Sequence, residues 1–124
     1  MQTRIPFLRS KGAAVALLFC MSAQVLATSG SVVANVTRVL IASDISFGGC
    51  MAQLSVSPQT VLPGCQSSWV TFSCSGDFTD EVRAYRMVDV AELALATGKR
   101  VSVFFRDDQK HNGYCFAYRI DVLQ

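Results

Sequence analysis

The sequence predicts a mainly β domain with one helix, in the order three strands, helix, two strands, stapled by two disulfides. Three observations carry this. Apolar and polar residues alternate in several short runs bounded by Gly, Pro and Ser, the pattern of strands with one covered face. One breaker-free stretch near residues 79–97 has apolar residues at three- and four-residue spacing, the period of a helix. Four cysteines, Cys50, Cys65, Cys74 and Cys115, follow what reads as an export signal, and an even count in a short exported chain points to paired sulfur.

The signal is expected over residues 1–27. Arg4, Arg9 and Lys11 form a basic leader, Ala13 to Met21 an apolar run reaching toward Leu26, and Val25-Leu26-Ala27 presents residues suited to a signal peptidase. Ser22 and Gln24 interrupt the run before the roughly 20 apolar residues that a bilayer crossing needs. Phe19 before Cys20 argues against lipidation there. Cleavage after Ala27 leaves residues 28–124 as one small domain, secreted or periplasmic. That part holds eight Lys and Arg against nine Asp and Glu, a formal charge of −1, so the basicity of the whole chain belongs to the leader. A nucleic-acid partner, which needs a clustered basic surface, is not expected.

The first strand is expected over Ser31 to Ala42, rich in Val, Leu and Ile, with a loop from Ser43 to Gly49. Met51 to Ser57 alternates, with Ala52, Leu54 and Val56 on one side and Met51, Gln53 and Ser55 on the other. Pro58 to Ser67 connects it to a third strand, Trp69 to Cys74, with Val70 and Phe72 on one face. The helix, Thr79 to Thr97, turns Ala84, Met87, Val88, Ala91, Ala94 and Leu95 to the core and ends at Gly98. Tyr85 and Leu93 are expected to flank that contact. Val101 to Arg106 is a short strand, Asp107 to Gly113 a polar hairpin loop, and Cys115 to Val122 a last strand with Phe116, Tyr118, Ile120 and Val122 on one face.

Four cysteines allow three pairings. An extended Trp69 to Ser73 would hold Cys65 and Cys74 beyond the ~7 Å Cα separation that a disulfide tolerates. An antiparallel hairpin instead brings Cys50 beside Cys74 on a shared face, leaving Cys65 for Cys115. No pair has the short gap of a zinc site, so no metal is expected.

The passage from Trp69 on a strand, through the helix with Ala91-Glu92-Leu93-Ala94-Leu95-Ala96-Thr97-Gly98-Lys99-Arg100, into Val101-Ser102-Val103 and a final cysteine-bearing strand resembles a group of small exported bacterial proteins of unknown function. More distantly it is similar to the B subunits of subtilase-cytotoxin-like five-B-subunit toxins. The resemblance covers about Trp69 to Val122 and implies an oligonucleotide/oligosaccharide-binding-type (OB-like) barrel of five strands, order βββαββ. No glycan-contacting residue of those subunits is matched by a motif here.

Chemistry is sparse. His111 is the single histidine, and with Asp107 and Asp108 it offers three ligands on one loop; a solvated hairpin tip explains the same residues, and no cofactor is expected. Arg83, Arg86, Asp89 and Glu92 read as a solvated helix face. Trp69 has two readings, a core residue or an exposed aromatic that stacks on a sugar or a partner; a lone Trp in a small barrel favours the core. The expectation is a non-enzymatic binding or interaction module for an unknown protein or glycan partner, with Trp69, Asp107, Asp108 and His111 as candidate contacts. The alternatives are a subunit of an oligomeric glycan-binding assembly, and a small hydrolase or metal-dependent enzyme using residues 107–113.

Overall fold

The computed structural model describes residues 28–124, so the expected signal over residues 1–27 and Cys20 lie outside the described part. Five strands and one helix follow in the expected order: β1 (Ser29–Ile41), β2 (Cys50–Leu54), β3 (Trp69–Thr71), α1 (Glu81–Thr97), β4 (Arg100–His111) and β5 (Tyr114–Val122). The strands hydrogen-bond in a closed ring, β1-β2-β3-β5-β4 and back to β1. β1 serves two neighbours because it is long: its first half, Ser29 to Asn35, pairs with β4, and its second half pairs with β2. The register shifts between Val36 and Arg38, and such a bulge bends a strand from one partner toward the next. A single parallel pairing, Thr71 opposite Phe116, closes the ring between β3 and β5.

The core is the inside of that ring. Val32, Ala34 and Val36 from β1 meet Ala52, Leu54, Val70, Phe72, Val101, Val103 and Phe105. Helix α1 lays Ala84, Val88, Ala91 and Ala94 against them, and three alanines on the buried face leave little bulk between helix and sheet. Asp80 caps the helix by accepting the Arg83 N–H, and Gly98 ends it at φ +69°, a conformation that costs a residue with Cβ. Leu95 departs from the expected stripe and is 42% exposed, while its neighbour Ala94 is buried in the core. Tyr85 and Leu93 face solvent instead of flanking the contact.

Disulfides join Cys50 to Cys74 and Cys65 to Cys115, with Cα atoms 5.6 and 5.3 Å apart. All four cysteines are buried. Among the described residues no helix is long and apolar enough to cross a membrane.

Several expectations need correction. β2 stops at Leu54 and β3 at Thr71, short of Ser57 and Cys74, because Ser57 caps a 3-10 turn at Pro58–Thr60 and Ser73 adopts φ +58°, which no strand continues through. The largest difference is at residues 107–113. Asp107 to His111 belong to strand β4, and the loop is only Asn112-Gly113, with φ +51° and +85°. Both central residues at positive φ make the tight two-residue turn that lets strands run to its edge. Between Arg106 and Lys110 the register with β5 shifts, so Asp107, Asp108 and Gln109 bulge from that ladder, and the Asp107 N–H bonds the Thr28 carbonyl instead. A second bulge, at Tyr118, breaks the face predicted for β5: Cys115 and Ala117 point into the core before it, Ile120 and Val122 pack on the core after it, and Tyr118 is exposed.

Candidate functional site

The outer face of β1, β2 and β3 gathers aromatic, apolar and polar side chains around one hollow. Register sets its layout, because residues directly opposite across antiparallel strands share a face. One row runs Arg38, Gln53, Trp69, and the next Leu40, Met51, Thr71. Trp69 is half-buried on this outer side and lies outside the core cluster, which corrects the expectation of a core residue. The Arg38 guanidinium lies 5.8 Å from the Trp69 ring centroid, within the range at which a cation is drawn to an aromatic face. Among the described residues no carboxylate pairs with Arg38.

Two connections complete the surface. In the β1–β2 connection Asp44 caps a short turn by accepting the Ser46 N–H, and the Thr71 hydroxyl donates to the Phe47 carbonyl at 2.7 Å. Gly48, at φ +80°, lets this segment lie flat: a Cβ there would fall 2.5 Å from Thr71 Oγ1 and 2.6 Å from His111 Cδ2. Phe47 is thereby held edge-on to Tyr114, just past the β4–β5 turn, with centroids 5.7 Å apart. Leu40, Phe47, Met51, Trp69 and Tyr114 line a shallow hollow of about 190 Å³. The arrangement offers aromatic faces for stacking, with a guanidinium and the Gln53 amide beside them for hydrogen bonds.

The other candidate residues are not brought together. Asp107 accepts the Thr28 N–H, and Asp108 takes a two-point bond from Arg106. That bond holds the Asp108 carboxyl below its ordinary range and raises the Arg106 guanidinium above its own. His111 lies apart from both, against Ser73, Asp77 and Phe78. No group of three metal-ligating side chains forms among the described residues. Arg83 pairs with Asp80 and Arg86 with Asp89 on an exposed helix face.

His111 is not a solvated tip. Its side chain is only 13% exposed, Nε2 lies 2.9 Å from the Ser73 hydroxyl, and the Phe78 ring stacks at 4.4 Å. A Ser, a His and an Asp thus meet, but both partners address one nitrogen: Asp77 is 3.7 Å from the same Nε2. A catalytic triad places its carboxylate on the opposite ring nitrogen to orient the base. Ser73 is also fully buried, with its oxygen accepting the Phe78 N–H. This geometry pins the 73–78 segment to β4.

Sequence reasoning named Trp69 but missed Arg38, Phe47, Met51 and Tyr114. The signal was present for Met51, placed opposite Ala52 and Leu54 and so on the outer side; Phe47 and Tyr114 reach the site through connections that periodicity does not describe. Comparisons with protein-family models, curated proteins and solved structures find no match to this chain.

Proposed function

We propose that this chain is an exported, non-enzymatic binding module on an OB-like barrel, and that it holds a glycan on the surface around Trp69. The carrying observation is the half-buried Trp69 ring, flanked by Arg38 and Gln53 and facing a hollow shared with Phe47 and Tyr114. A sugar offers an apolar ring face for stacking and hydroxyls for the guanidinium and amide.

Three further observations support the reading. The ring order β1-β2-β3-β5-β4 suits an OB-like barrel, whose ligands lie on the faces of strands 2 and 3 between the loops joining strands 1–2 and 4–5. β3 supplies Trp69, the β1–β2 connection Phe47, and the first residue of β5, beside the β4–β5 turn, Tyr114. Two disulfides suit an oxidising compartment outside the cytosol. The net charge of −1 over residues 28–124 disfavours a nucleic-acid strand for the same face. A glycan array probed with the oxidised protein tests the proposal: binding that Trp69→Ala removes supports it, and an array without a hit refutes the glycan as ligand.

A further inference from the structure

The outward face of α1 has a symmetry that the binding surface does not explain. At about 100° per residue, Val82, Arg86, Asp89 and Leu93 fall within a wedge of about 60°. This is the side away from buried Ala84, Val88 and Ala91. Val82 is 69% exposed and Leu93 56%, high values for large apolar side chains. The charged pair between them, Arg86 with Asp89 at 3.5 Å, is also exposed.

The order along the helix is apolar, basic, acidic, apolar, and both pairs are centred on the Met87–Val88 peptide. A two-fold axis through that point, perpendicular to the helix, places Val82 of one copy on Leu93 of the other and Arg86 on Asp89. Each contact then occurs twice, the signature of an isologous interface. The two Arg86 and two Asp89 side chains form a closed ring in which each arginine lies between two carboxylates. A parallel arrangement would instead set Arg86 against Arg86.

We infer that the protein self-associates as an antiparallel, two-fold dimer through the outward face of α1, with Val82–Leu93 and Arg86–Asp89 as its reciprocal contacts. The occupant of this face is a second copy of the chain, because the face is complementary to itself in charge. The contact spans about 16 Å of helix, from Val82 to Leu93, and buries less than the roughly 1,200 Å² of a standard interface. The dimer is therefore weak and concentration-dependent. The Trp69 hollow takes no residue from α1.

Sedimentation velocity on the oxidised protein, from about 10 μM to 1 mM, reads the association. The wild type is expected to shift from monomer to dimer across that range. Arg86→Asp and Asp89→Arg alone oppose like charges and remain monomeric, with helix content by circular dichroism and Trp69 fluorescence unchanged. An equimolar mixture of the two variants restores both charge pairs and dimerises, as does the double reversal in one chain. A wild type that stays monomeric at 1 mM overturns the inference. So does a dimer that either single reversal leaves intact, or a mixture that stays monomeric.

Discussion

His111 Nε2 lies 2.9 Å from the hydroxyl of Ser73, 38 residues earlier in the chain, and this bond ties the end of β4 to the segment that follows β3. Ser73 has φ +58° and no exposed surface, so the bond helps hold an uncommon backbone conformation in the interior. His111→Ala removes it together with the Phe78 stack. The expected loss is about 1 to 3 kcal/mol by urea unfolding, with the fold retained. A change within ±0.5 kcal/mol would show that the contact contributes little.

Two glycines at positive φ should respond differently to alanine. Gly98 ends α1 at φ +69° with nothing within 4 Å of an added Cβ, so Gly98→Ala pays only the left-handed backbone, about 1 kcal/mol. Gly48 has φ +80° and the close Thr71 and His111 contacts, so Gly48→Ala adds a steric term and costs about 2 to 4 kcal/mol. Paired urea titrations give the difference, and equal losses would contradict the packing described for the β1–β2 connection.

The disulfides close loops of different span, with separations of 24 for Cys50–Cys74 and 50 for Cys65–Cys115. Replacing either pair with alanine should cost about 2 to 5 kcal/mol. Loop entropy adds about 0.6 kcal/mol to the loss for the longer one. Because all four are buried, thiol labelling after unfolding the purified protein without reductant should find no free sulfhydryl among Cys50, Cys65, Cys74 and Cys115; four labelled thiols would remove the argument for an oxidising compartment.

Much of the fold was legible because local signals agreed with one another. Gly98 marks the end of the alanine-rich stripe of α1, and the shared face of Cys50 and Cys74 follows from the β2–β3 hairpin. The polarity of residues 107–111 suggests a loop and masks the Asn112-Gly113 signal, although a two-residue turn obliges the flanking strands to run to its edge. Bulges were the second source of error. Period-2 reasoning assigns Phe116, Tyr118, Ile120 and Val122 to one face, and the extra residue at Tyr118 inverts that assignment halfway along β5. Alternation turns Trp69 away from Val70 and Phe72 and leaves both a core and an exposed reading open; the register Arg38–Gln53–Trp69, which depends on strand pairing, puts it on the outer side.

Asp108 gives a pH signature. The Arg106 hydrogen bond holds its carboxyl below the ordinary range, so the pair contributes stability that is present above the ordinary carboxylate pKa and is lost as pH falls through the lower folded value. The pair is exposed and its effect on stability is small. In an NMR titration the Asp108 midpoint should lie below the usual carboxylate value and rise in Arg106→Gln. An unmoved midpoint would contradict the assigned cause.

The most direct test of the binding role is an NMR titration of the ¹⁵N-labelled oxidised protein with the strongest array ligand. The account predicts that the Trp69 indole N–H and the amides of Gln53, Phe47 and Tyr114 shift together in a saturable manner, and that Arg38→Ala weakens binding. Saturable shifts confined to α1 or to residues 107–111, with Trp69 unmoved, would contradict it.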